Sequence, residues 1–323
     1  MNEKPKDFDE PLLKGWRFKL LITIVILTSL GYLLFTLWAG FDGVVDGVKK
    51  VGIVGIITTL LIACFAFFMR FLRWQSYLRA LHHKIPFFKS LKIFVSGFAL
   101  TITPGKTGEM VRSVFVKPYN VSYRESLGMF LSERVSDVLA VILIASAGLW
   151  HYCEARPIVI FFLFLTASII IVASQTRWLL WIEEKLTHIL PEKIQHYPNF
   201  LIEGMIAFRA CFQPKVMIPG ILLGVLAWGA EGSACYLILK TLGANIPYYT
   251  TLFIYAFSLL VGAITFLPGG VGGTEISMAQ LFILNGIDST TAVTATLMIR
   301  TLTLWFSVFL GLIVIPKKDP QAS

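Results

Sequence analysis

Eight ionisable residues sit in stretches that are otherwise apolar: Glu109, Arg112, Glu133, Arg134, Asp137, Glu231, Glu275 and Arg300. Their spacing groups them. Glu109 and Arg112 are three apart, as are Arg134 and Asp137, while Glu133 and Asp137 are four apart, so each set shares one face of a helix. A charge at the centre of a bilayer costs roughly 2.5–3.5 kcal/mol on insertion scales. Such groups either form buried ion pairs that fix helix registry or line a polar cavity that binds a charged group. Stability alone rarely favours a buried pair over apolar packing, so the cluster points to binding more strongly than any one member does.

Two helix-breaking stretches must position these side chains: Pro104-Gly105-Lys106-Thr107-Gly108-Glu109 and Pro268-Gly269-Gly270-Val271-Gly272-Gly273-Thr274-Glu275. Each follows an apolar run of about 17–20 residues, the length of a membrane span. Proline removes a backbone donor and glycine loosens the chain, so peptide groups are freed where lipid cannot satisfy them. They are tolerable only if buried in protein or facing a wet cavity. Half-helices starting at Thr107 and Thr274 would aim free N–H groups and positive dipole ends inward. Together with Lys106, Arg112, Arg134 and Arg300 they would cradle a phosphate. Glu109 and Glu275 would repel that phosphate if ionised; they either hold a proton or cation or pair with the arginines, and both alternatives stay open.

The composition agrees with a membrane setting. The chain of 323 residues is 56% hydrophobic and 15% charged, with a mean hydropathy of +0.75. The net charge of +9 is spread over short loops beside apolar runs, which is the positive-inside distribution and not a nucleic-acid surface. Cys64, Cys153, Cys211 and Cys235 have no metal or redox spacing and read as small hydrophobes. No cofactor, metal site or catalytic grouping is expected. Gly105-Lys106-Thr107 resembles the end of a phosphate-binding loop, but Leu100 stands where that motif needs glycine. The five histidines have no ligand spacing.

The expected architecture is an all-α polytopic membrane protein forming a single membrane domain. It has about six full spans, near 18–40, 51–73, 125–150, 157–174, 216–240 and 288–315. The interrupted segments 87–117 and 248–286 lie between spans, and 177–213 reads as amphipathic helix on the membrane surface. The first span reads as an uncleaved anchor. Residues 60–91 align without gaps to 221–252 at an offset of 161, sharing an Ile-Pro-aromatic-aromatic turn (Ile85, Pro86; Ile246, Pro247) and pairing Arg70 with Glu231. Repeat one is thus 51–150, and repeat two is 216–315.

Loop charge chooses the topology. With both interrupted segments re-entrant, the N-terminus, the stretch holding Arg73, Arg79, Lys84, Lys89, Lys92, Lys117 and Arg124, region 175–215 and the tail all face the cytoplasm. The repeats then run in opposite directions, with one hairpin entering from each face, as in alternating-access transporters.

Three motifs carry a family resemblance: P-G-K-x-G-E-x-x-R at 104–112, S-E-R-x-x-D at 132–137 and P-G-G-x-G-x-x-E at 268–275. In this order they resemble the lysylphosphatidylglycerol synthase transmembrane, or flippase-like, family, over about residues 15–315. The resemblance assigns family roles to Pro104, Gly105, Gly108, Glu109, Arg112, Glu133, Arg134, Asp137, Pro268, Gly269, Gly270, Gly272 and Glu275. It implies a membrane half that moves or binds an anionic phospholipid or polyprenyl-linked lipid between leaflets of the inner membrane. The aminoacyl-transferase domain of some members has no room in this chain, so synthase activity is not expected. The alternatives are a membrane-embedded transferase acting on a lipid phosphate, and a membrane subunit for a soluble synthase or glycosyltransferase partner. Proton or cation coupling is a further expectation to test.

Overall fold

A computed structural model of the protein describes residues 31–34, 36–149, 152–174, 185 and 196–314. The described part is all-α, with no strand among the described residues. Helix α1 (Phe41–Ala80) starts ahead of the predicted span 51–73 and runs through and beyond it, with one non-helical residue at Gly52. A turn ending in Ile85-Pro86 leads to α2 (Phe87–Ser96), then to 3-10 turns over 97–100 and 104–111 and the short α3 (Arg112–Val116). Next comes α4 (Tyr123–Ser146), started by a capping box: Ser122 Oγ accepts from the Glu125 N–H, and the Glu125 carboxylate accepts from the Ser122 N–H. Helices α5 (Arg156–Ser174), α6 (His196–Cys211) and α7 (Pro214–Leu242) follow. The second interrupted segment is α8 (Tyr248–Ile264), a break over 265–272, and α9 (Gly273–Leu284). Helix α10 (Ser289–Arg300) passes through a π-helical turn (Thr301–Trp305) into α11 (Phe306–Ile313).

Among the described residues, four stretches are long and apolar enough to cross a bilayer: Phe41–Ala80, Cys153–Val172, Pro214–Leu242 and Ser289–Ile313. Helix α4 has 24 residues. At about 1.5 Å per residue it also reaches across roughly 30 Å of hydrocarbon, and it carries Glu133, Arg134 and Asp137. The predicted span 18–40 lies mainly outside the described residues, as does most of 177–195. The rest of that amphipathic region, α6, packs along α4, where Gly128 meets Ala207 and Gly204 meets Leu127. Polarity is inside out: Glu133, Glu231, Glu275 and Arg300 are buried, whereas Val54, Leu61, Phe164 and Leu222 are exposed. That is the surface of an integral membrane protein.

The repeated features can now be placed. Helices α1 and α7 pack antiparallel: Lys50 bonds the Leu242 carbonyl, Arg70 bonds Glu231, and Arg73 and Tyr77 lie beside Gly224 and Gly220. Each interrupted segment folds back on itself as a hairpin, and the two tips meet, Ile102 touching Gly269. Each repeat's closing segment holds the other repeat's hairpin through a glycine. A Cβ on Gly148 would run into the Phe253 ring, and one on Gly311 would run into the Ala99 main chain. One expectation is corrected: Arg73 is not a loop residue. It lies within α1, 1% exposed, bound to Asp137.

Candidate functional site

Where the two tips meet there is a cavity of about 260 Å³. The first tip is made by its backbone. After Thr103 and Pro104, Gly105 (φ 61°) and Lys106 (φ 56°) are both left-handed, and the Gly108 N–H donates to Thr103 Oγ1. The second tip repeats the device with Gly269 (φ 63°) and Gly270 (φ 67°) after Pro268. Two consecutive left-handed residues turn the chain back on itself, a conformation that glycine adopts without steric cost.

Charges from both repeats surround this space as ion pairs. Arg70 donates to Glu231 at 2.8 Å, with Tyr255 giving a second hydrogen bond at 2.6 Å. Arg73 donates to Asp137 at 2.7 Å, and the same oxygen accepts from the Trp228 indole at 3.1 Å. Arg112, its guanidinium 4.7 Å from the Trp74 ring centroid, reaches Glu133 at 2.6 Å. Arg134 is shared, lying 3.4 Å from Glu109 and 3.3 Å from Asp137. Glu109 also accepts from Thr101 at 2.6 Å. Arg300 donates through Nε to Glu275 at 2.7 Å and through Nη2 to the Gly269 carbonyl at 2.8 Å. Glu275 further accepts from Tyr32 and from the Gly272 N–H.

Of the residues singled out from sequence, Gly105, Lys106, Glu109, Glu133, Arg134, Asp137, Glu231, Gly269, Gly270 and Arg300 line the cavity. Arg112 and Glu275 stand behind it as ion-pair partners. Gly108 is a packing residue, tight against Leu100. Gly272 is the N-cap of α9, and Pro268 opens the second break. Pro104 opens the first.

At the first break the helix-terminus cradle does not form as expected. The segment after the first break is 3-10 and then an α-helix of only 5 residues, too short for a useful dipole. At α9 the Gly272 N–H is taken by the Glu275 carboxylate. The cations at the cavity are side chains, Lys106 and Arg134 among them.

Sequence reasoning passed over Arg73, Trp228, Tyr255, Thr101 and Tyr32, and used Arg70 only for register. One signal was available. The pairs Glu109–Arg134 and Glu275–Arg300 both span 25 residues, so one ion pair is built twice. Arg70 and Glu231, matched at the repeat offset, bond to each other, as counterparts near a twofold axis do.

An all-α membrane protein with a charged cavity buried between two opposed broken-helix hairpins is the class defined so far. The sequence comparisons give the family: residues 18–311 match the lysylphosphatidylglycerol synthase TM region, and the chain belongs to that family. A UPF0104 membrane protein of Pyrococcus horikoshii is 24% identical over 326 residues, covering 93% of this chain and 97% of its own length. A UPF0104 membrane protein of Methanothermobacter thermautotrophicus is 23% identical over 295 residues, covering 84% and 87%.

Proposed function

We propose that the chain is a lipid translocase, carrying the headgroup of an anionic phospholipid or polyprenyl-linked lipid between leaflets while the hydrocarbon chains stay in the bilayer. The observation that carries this reading is the meeting of two oppositely directed hairpin tips on one cavity. That cavity is lined by Lys106 and Arg134 and also by Phe67, Phe98, Leu259 and Leu267. At about 260 Å³ the space falls just below the ~300–1,000 Å³ of ordinary small-molecule sites. It has room for a headgroup and not for a whole lipid. Antiparallel repeats around a central site are the architecture of alternating access.

The orientation in this reading places both termini in the cytoplasm at the inner membrane. Removing Arg73 from the loop count leaves Arg79, Lys84, Lys89, Lys92, Lys117 and Arg124 on that side, so the asymmetry survives. The test is reconstitution of the purified chain into liposomes carrying a fluorescent phosphatidylglycerol in one leaflet. Accelerated exchange with no new covalent product supports the translocase. A new product would replace it with the transferase reading. Exchange only after a soluble partner is added would make the chain a subunit.

A further inference from the structure

Among the described residues around the cavity, each of five arginines has its own carboxylate, the longest pair at 3.4 Å, and one cation is left over. That cation is Lys106. Its ammonium has no carboxylate within 4.0 Å among the described residues. It lies 5.2 Å from the centroid of the Trp228 ring, on the cavity wall. Lys106 is half-buried, and an ammonium on a cavity wall with no carboxylate partner favours an anion that enters.

The backbone supplies a second, independent observation. Lys106 is left-handed (φ 56°), a region disfavoured for any residue with a Cβ. At the equivalent place in the second tip stands Gly270, with φ 67°. One tip therefore uses the residue suited to the turn, and the other holds a strained lysine facing the cavity. Strain kept at such a place points to function.

We infer that Lys106 anchors a headgroup with one net negative charge, carried on a phosphodiester. The five ion pairs cancel, so a single anionic oxygen pair balances the site. A zwitterionic headgroup would bring a second cation beside Arg70 and Arg134, a lysylated one would add further positive charge, and a phosphomonoester dianion would overshoot. The apolar residues that also line the cavity, Phe67, Phe98 and Leu259 among them, suit the first carbons of a lipid chain, which distinguishes a lipid from a free phosphodiester. This inference deepens the translocase reading and rests on it for the ligand's source, but it is tested by binding alone.

Native mass spectrometry of the full-length chain in detergent would compare phosphatidylglycerol, phosphatidylethanolamine, lysylphosphatidylglycerol and phosphatidic acid, with dimethyl phosphate as a soluble competitor. The expected result is at least tenfold tighter binding of phosphatidylglycerol, a preference of about 1.4 kcal/mol, and no displacement by millimolar dimethyl phosphate. Lys106→Gly should abolish the preference while leaving the thermal midpoint equal or higher, because the strain is removed. Lys106→Arg should retain most of it. Preference surviving in Lys106→Gly, or equal binding of the lysylated lipid by the unmodified chain, overturns the inference. Displacement by dimethyl phosphate overturns its assignment to lipid. Intact selectivity without leaflet exchange would sink the translocase reading and leave the anchor standing; exchange without selectivity would do the reverse.

Discussion

The two hairpin tips share a backbone and differ in what they do with it. Both turn through a proline and two left-handed residues, and both carry a glutamate bound to an arginine 25 positions on. In the second tip the arginine also grips the tip's own carbonyl at Gly269, and Tyr32 and Gly272 complete the glutamate's shell. The Glu275 and Arg300 side chains are 3% and 6% exposed. In the first tip the equivalent Arg134 is 24% exposed, contacts three carboxylates without holding any closely, and among the described residues makes no bond to its tip's main chain. One tip is a latch, and the other presents its charges to the cavity. Duplicated architecture therefore does not imply duplicated duty, and the asymmetry is open to direct attack.

The largest effect is expected from Arg300→Met. It leaves Glu275 buried without its cation, which costs about 3–5 kcal/mol, read as a lowered unfolding midpoint in detergent. Arg134→Met should cost less than half of that, because the more exposed guanidinium is already partly solvated. It should instead slow lipid exchange. The double variant Glu275→Met/Arg300→Met should recover more than half of the loss, since an apolar pair can replace a buried ion pair. Equal destabilisation by Arg300→Met and Arg134→Met would erase the distinction between latch and working tip.

A second comparison uses the two glycines that hold the hairpins. A methyl at Gly311 meets the main chain of Phe98 and Ala99, which carries the first tip and cannot step aside. A methyl at Gly148 meets Cβ and Cγ of Phe253, the root of a fully buried ring stacked on Tyr152, so α8 itself must move to admit it. Overpacking typically costs about 1–3 kcal/mol. Both Gly311→Ala and Gly148→Ala are expected near the top of that range, with lipid exchange lost in Gly311→Ala, which displaces the tip's own main chain, and retained in part in Gly148→Ala. Thermal unfolding together with the leaflet assay checks both.

Exchanging the tip residues sharpens the contrast further. Gly270→Lys puts a Cβ at φ 67° and a second cation near Arg300, with an expected loss of about 1–2 kcal/mol from the backbone alone. Lys106→Gly should gain about 1 kcal/mol or slightly less. A lysine tolerated equally well at both positions would mean that the first tip is not strained for a purpose.

Much of this was legible in the sequence, because the features are local anomalies. Proline-glycine pairs deep in apolar sequence mark breaks whatever surrounds them, and charges such as Glu133, Asp137 and Glu275 stand out where hydrocarbon is expected. Helix extent was less legible. Arg73 lies near Arg70 and Arg79 at the end of an apolar run, so it read as loop, whereas α1 continues to Ala80 and buries it against Asp137. Trp228 and Tyr255 are apolar by composition, and nothing local shows that their N–H and O–H groups bond carboxylates from other helices. The sequence Thr107–Arg112 is equally compatible with an α-helix and with the 3-10 turn that forms, because the choice is made by packing against α4 and Leu100. Tertiary partners decided each case that local chemistry could not.

Tyr32 gives the finest test. Its hydroxyl donates to Glu275 at 2.9 Å and accepts from the Trp305 indole at 3.4 Å, tying the helical stretch before α1 to the second tip and the π turn. Tyr32→Phe removes one donor from a carboxylate that keeps Arg300 and the Gly272 N–H, so the loss should be only about 0.5–1.5 kcal/mol. If the second tip is only a latch, lipid selectivity should be unchanged at this small cost in stability. A tenfold change in phosphatidylglycerol preference at unchanged stability would show that the latched tip also senses the headgroup. The two tips would then differ in degree and not in kind, because a carboxylate that merely braces a turn has no means of telling one lipid from another.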